Sequence, residues 1–147
     1  IILYGMNLQE HEDILLGAVA AQTRNLPDEI ENLVLTCGSG ITAIGVIAGL
    51  KQYGKKVKHV HLVATAPDLQ KLIHGTLQKY GADREIEYHD LFHTRGFSYE
   101  QPFCSVWGGI RLHPNYEAKT MAWFAKSGLR PEDTLFWITG AEPLAGK

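Results

Sequence analysis

The stretch that most constrains this chain is Leu33-Val34-Leu35-Thr36-Cys37-Gly38-Ser39-Gly40-Ile41-Thr42-Ala43-Ile44-Gly45. Its first residues suit a buried strand, and they run into a turn of glycines and hydroxyls. An apolar segment with helical spacing follows, from about Thr42 to Tyr53, closed near Gly54. Strand, glycine turn and helix in that order make a cradle for phosphate. The glycines bare backbone N–H groups, Ser39 and Thr42 add hydroxyls, and the helix brings the positive end of its dipole.

Around this stretch, strand-like and helix-like segments alternate. Ile1-Ile2-Leu3-Tyr4 reads as a strand. A helix is expected from about Gln9 to Arg24, with Ile14, Leu15, Ala18, Val19 and Gln22 on its apolar face. Strands are expected over Asn32–Thr36, Val57–Ala64, Glu85–Tyr88 and Thr134–Thr139. Pro67 suits the first turn of a helix that carries Leu69, Leu72, Ile73 and Leu77 and stops at Gly81. His89 to Arg111 reads as one long loop, and a loop of that length is usually functional. A further helix is expected from about Asn115 to Ser127, ended by Gly128. This order predicts one α/β domain over residues 1–147, a three-layer sandwich with a mainly parallel sheet flanked by helices.

Composition excludes several classes. A formal net charge of -2 leaves no electrostatic footprint for nucleic acid or an acidic membrane surface. No apolar run is long enough to span a bilayer. Cys37 and Cys104 are too few for a disulfide framework, so a cytoplasmic setting is expected. Cys37 reads as a small buried residue. His59 and His61 share one face of a strand, but no CxxC or HExxH accompanies them and no metal is expected. His89 and His93 flank the loop and could meet a substrate or partner. Trp107, Trp123 and Trp137 read as core or interface bulk. The start, without methionine and already strand-like, reads as part of a longer polypeptide.

The phosphate cradle does not match a dinucleotide fingerprint. The spacing G-x-G-x-x-G would place its third glycine at position 43, where the chain has Ala43. The next strand ends Leu62-Val63-Ala64-Thr65-Ala66-Pro67, with no carboxylate for a ribose. A methyl-donor site meets the same objection. The turn suits a phosphate without a ribose, although an ordinary strand-to-helix turn would read the same way.

At this point the residues carry a family resemblance. Thr36 to Gly45 resembles the phosphate loop of the fold type II pyridoxal-phosphate enzymes, the tryptophan synthase β superfamily. His113-Pro114-Asn115-Tyr116-Glu117-Ala118-Lys119-Thr120-Met121 resembles the segment D-P-V-Y-E-G-K-S-M of the 1-aminocyclopropane-1-carboxylate deaminase and D-cysteine desulfhydrase branch. Leu135 to Leu144 resembles the terminal strand and glycine turn that close over the cofactor ring in that branch. The three segments stand in the family's order and span nearly the whole chain.

The resemblance implies pyridoxal 5'-phosphate as cofactor and a small amino acid as substrate, with deamination, desulfhydration or a related elimination as the reaction. Ser39, Gly40 and Thr42 match the positions that hold the phosphate, with Gly38 and Ile41 in the same turn. Glu117 matches the carboxylate at the pyridine nitrogen, where it would keep that nitrogen protonated and the ring a strong electron sink. Tyr116 matches an active-site tyrosine that acts near the substrate amino group, and Tyr99 is a weaker counterpart of a second. Thr139 and Gly140 belong to the glycine turn over the ring. The lysine that bonds the cofactor in that family has no match in this sequence and belongs to a preceding half. This chain alone is therefore expected to bind cofactor weakly and to show no turnover. The missing half, or a subunit supplying it, is an expected partner, as is a second copy in a homodimer. Two alternatives stay open: a binding or assembly module with a vestigial site, and a nucleotide or methyl-donor domain.

Overall fold

The computed structural model describes residues 8–94, 103, 106–107, 109–139 and 141–143, and the expected strand at Ile1–Tyr4 lies outside them. In chain order the elements are α1 (Leu8–Gln22), β1 (Glu29–Cys37), α2 (Ile41–Gln52), β2 (Lys56–Ala64), α3 (Gln70–Lys79), β3 (Glu87–Asp90), β4 (Val106–Trp107), β5 (Ile110–Leu112), α4 (Glu117–Ser127), β6 (Thr134–Trp137) and β7 (Ala141–Pro143). Short 3-10 turns follow α1 at Thr23–Asn25 and precede β6 at Pro131–Asp133. The chain is α/β, and its parallel four-stranded sheet and four helices are consistent with the expected three-layer sandwich. No helix among the described residues is long and apolar enough to cross a membrane.

Packing divides the chain into two compact units. Of the described residues, one holds those up to Glu29, Ser39–Lys56 and Leu69–Arg84; the other holds Ile30–Gly38, Val57–Asp68 and those from Glu85 on.

The first unit is helical. Its organising contact is between α1 and α2, and two glycines one turn apart on α2 make it possible. A Cβ at Gly45 would lie 2.6 Å from Val19 Cβ, and one at Gly49 would lie 2.5 Å from Thr23 Oγ1 and 2.7 Å from the Ala20 carbonyl. This groove selects which side of α1 is covered. Leu15, Leu16, Ala20 and Thr23 are buried, whereas Ile14 is 75% exposed and Ala18 and Gln22 face solvent. Leu15 and Val19 of the expected face lie in the covered region, whereas Ile14, Ala18 and Gln22 give way to Leu16, Ala20 and Thr23, because the glycines of α2 set where the helices touch. The helix α3 begins at Gln70, not near Pro67, and covers Ile73, Thr76 and Leu77 while leaving Leu72 46% exposed.

The second unit contains the sheet. Its strand order is β3-β2-β1-β6, with β1–β6 and β2–β3 paired in parallel. Leu33, Leu35 and Cys37 on one side of β1, and Val34 on the other, are all buried, as expected for a strand covered on both faces. On the second side, Val34, Val63 and Leu91 form a core against Trp123 of α4, Leu129 and Phe136.

Several boundaries differ from expectation. The first core strand starts three residues early, at Glu29, and extends to Cys37. The short strand expected at 85–88 lies at Glu87–Asp90, where it pairs with β2, and the last core strand ends at Trp137, not Thr139. The expected loop of 89–111 is not structureless. Strands β4 and β5 pair antiparallel within it, and β5 pairs in turn with β7. Strands of two or three residues carry no readable periodicity, so only their partners reveal them.

Candidate functional site

The topology points to one edge. From β1 the chain moves outward to β2 and β3, then returns to β6 on the other side of β1. In such sheets ligands bind beyond the carboxyl ends of the strands, where the strand order reverses. At that edge Gly38 follows β1, Thr65 follows β2, and Thr139 lies two residues beyond β6.

The side of β1 facing α4 explains how the site residues are placed. Asn32, Val34, Thr36 and Gly38 alternate onto this side at period two. Tyr116, which caps α4, and Thr120 and Trp123 within it recur at helical spacing and meet Gly38, Thr36 and Val34 respectively. Thr36 Oγ1 lies 2.7 Å from Thr120 Oγ1, one of the two hydroxyls donating. The Tyr116 ring comes within 3.2 Å of the position a Cβ on Gly38 would take. Any other residue at position 38 would push against the phenol ring.

Glu117 opens α4, where a carboxylate suits the helix dipole, and is only 2% exposed. Its Oε1 accepts hydrogen bonds from Thr139 Oγ1 at 2.7 Å and from the Thr139 backbone N–H at 3.3 Å. Two segments singled out separately in the sequence, Tyr116-Glu117 and Thr139, are therefore brought together. Lys119, two residues further into α4, is fully buried, and burial lowers its pKa from the usual lysine range.

The phosphate-turn residues belong to the first unit from Ser39 on. Gly40 caps α2 with φ +88, a left-handed conformation that favours glycine, and no side chain caps the helix. Ser39 is exposed, with its Oγ 3.5 Å from the Ile41 N–H; Ile41 and Thr42 are half-buried. Tyr99 and Gly140 lie outside the described residues. Cys37 is buried and free, and burial pushes its thiol up to about 12.

Sequence reasoning missed two features. Thr65 is fully buried and its N–H donates to Cys37 O at 3.2 Å, while its Oγ1 has no partner among the described residues. The other is a chain of polar rings on the α4 side. His61 Nε2 lies 3.1 Å from Asn32 Oδ1, and His61 Nδ1 lies 3.1 Å from His89 Nε2. An amide oxygen only accepts, so His61 donates from Nε2, accepts at Nδ1, and His89 donates from Nε2. His59 Nδ1 sits 3.0 Å from Glu87 Oε2, and the His89 ring packs 4.5 Å from that of Trp123. Burial, the largest cause, lowers the pKa of both His61 and His89; the nearby Glu87 charge partly offsets it. The shared face of His59 and His61 was legible, but Asn32 and His89 are distant in sequence. No group of three His, Cys, Asp or Glu among the described residues could hold a metal ion.

No protein-family model matches the chain. A curated relative, the O-seryl-dTMP PLP-dependent decarboxylase of Salmonella phage ViI, is 25% identical over 179 aligned residues, covering 83% of this chain. The chain spans 42% of the length of that relative.

Proposed function

We propose that this chain is the cofactor-binding portion of a pyridoxal-phosphate enzyme that acts on an amino acid. The observation that carries the reading is the Thr139–Glu117 hydrogen bond at 2.7 Å beside Tyr116, at the sheet edge where a ligand is expected. The similarity to a relative named as PLP-dependent supports the same cofactor. The residues present fit such a group. A buried carboxylate held by a hydroxyl suits a protonated ring nitrogen, and Gly38 lets the Tyr116 ring lie close against the turn.

When bound, pyridoxal phosphate supplies an electron-withdrawing ring that stabilises charge at the amino acid's α-carbon. The chain's own residues would do the rest. Glu117 holds the proton on the ring nitrogen, Thr139 orients the carboxylate, and Tyr116 holds or moves a proton near the substrate amine. Ser39, Gly40, Ile41 and Thr42 hold the phosphate, following the resemblance. Within this reading, fold type II architecture and a deaminase or desulfhydrase reaction follow from the Tyr116-Glu117 segment. Decarboxylation at the same cofactor is a second reading, favoured by the relative's name.

The test is a titration of the full-length protein with pyridoxal 5'-phosphate, followed by amino acids. Cofactor uptake that Glu117→Ala weakens is expected. Ammonia with an oxo acid would support elimination or deamination, and carbon dioxide would support the second reading. Uptake equal in wild type and variant would sink the assignment of Glu117.

A further inference from the structure

Thr65 lies outside the residues assigned to the cofactor. This residue follows β2 directly, is 0% exposed, and is tied by its N–H to the Cys37 carbonyl, next to Gly38. A threonine hydroxyl offers one donor and two acceptor positions, and burial without a partner costs free energy that water would otherwise recover. Native proteins leave few buried groups in that condition, and each such group calls for an explanation. Two neighbouring hydroxyls on this edge are engaged: Thr36 with Thr120, and Thr139 with Glu117. Thr65 Oγ1 has no such bond among the described residues. A second buried atom in the same condition, Asn115 Oδ1, belongs to the residue just before Tyr116.

A purely structural role does not account for the hydroxyl. Valine has nearly the same shape and would fill the site without an unmet polar atom. Complete burial also removes bulk water as the partner, and a ligand group that enters the fold can supply the missing bond. Thr65, Gly38, Tyr116, Glu117 and Thr139 all belong to the same compact unit, at the edge assigned above to the cofactor ring.

We infer that Thr65 is a ligand-contact residue whose hydroxyl hydrogen-bonds the ring end of the bound cofactor. This inference rests on the pyridoxal-phosphate reading. The hydroxyl is kept at the expense of the ligand-free fold and is satisfied only in the complex. It binds and orients, and carries no proton of the reaction.

The experiment compares wild type, Thr65→Val and Thr65→Ser in the full-length protein. Melting temperature is measured without ligand, with pyridoxal 5'-phosphate and with inorganic phosphate, and dissociation constants are measured for both ligands. Thr65→Val should melt at or above the wild-type temperature without ligand. It should bind pyridoxal phosphate about tenfold more weakly, the loss of one buried hydrogen bond, with inorganic phosphate unchanged. Thr65→Ser should restore most of the affinity. A lower ligand-free melting temperature in Thr65→Val would make the hydroxyl structural and overturn the inference. Equal losses for both ligands would overturn it too, by placing the effect at the phosphate. If wild type binds pyridoxal phosphate and Thr65→Val binds equally well, this inference alone falls. If wild type takes up none, the cofactor reading falls and takes this inference with it.

Discussion

Thr139 donates its hydroxyl proton to Glu117 Oε1 across 2.7 Å, tying the segment just beyond β6 to the first turn of α4. Glu117 and Thr139 are 22 residues apart in sequence. Their bond fixes the direction of a buried carboxylate beside Tyr116, and with it what a ligand at this edge would meet.

Replacing Glu117 with Ala removes the acceptor of the two Thr139 hydrogen bonds and empties a buried position at the start of α4. A loss of about 1–3 kcal/mol in stability is expected, from denaturant unfolding. Glu117→Gln keeps an acceptor oxygen and should recover most of that stability. It should not recover cofactor affinity, because a neutral amide does not hold a proton on the ring nitrogen. Equal affinities for Gln and Glu would contradict the proposed role.

Gly38→Ala places a Cβ 3.2 Å from Tyr116 Cε1, closer than packed carbon atoms prefer. The ring must give way by a few tenths of an ångström. A modest destabilisation of about 1 kcal/mol is expected. If Tyr116 acts at the substrate, activity of the full-length protein should fall more than stability does, and Gly38→Ala/Tyr116→Phe should add little to Tyr116→Phe alone.

Two glycine substitutions in the helices should move stability in opposite directions. Gly49→Ala would put a Cβ 2.5 Å from Thr23 Oγ1 and 2.7 Å from a backbone carbonyl, forcing α1 and α2 apart at a cost of about 1–3 kcal/mol. A Cβ at Gly17, inside α1, meets nothing within 4 Å, so Gly17→Ala should stabilise by up to about 1 kcal/mol. Thermal melts of the two variants check both signs. A neutral Gly49→Ala would mean that the helices are not in close contact.

The paired histidines set a pH dependence. His61 and His89 have pKa values lowered by burial, so near and below about 6.5 the unfolded chain binds protons that the folded chain does not. Their contribution is fully present above about pH 6.5 and is lost as pH falls through the depressed folded values. The charged and titratable groups facing the pair are Glu87 and His59. Urea midpoints from pH ~7.5 down to ~5 should fall, and the slope should be shallower in His61→Gln. An identical slope in that variant would place the titration elsewhere.

How much of this was readable in advance depends on distance along the chain. The turn at Gly38-Ser39-Gly40 and the segment Tyr116-Glu117 stood out because each is local: residue types at fixed spacing imply a cap, a cradle or a helix start. The covered face of α1 was legible at Leu15 and Val19 but not at Ile14 or Thr23, because hydrophobicity does not say where the glycines of α2 bring the helices together. The chain from His61 to Asn32 and His89 was invisible because its members lie on three strands whose order only the sheet decides.

The α/β class, the parallel sheet and the place of the glycine turn were determined by the sequence alone, through periodicity and the glycines' backbone freedom. Tertiary structure decided which of those signals meet. It set Tyr116 against Gly38, joined Glu117 to Thr139, and buried the Thr65 hydroxyl. Those pairings depend on the register between α4 and β1, and register is a property of packed surfaces that no local spacing encodes.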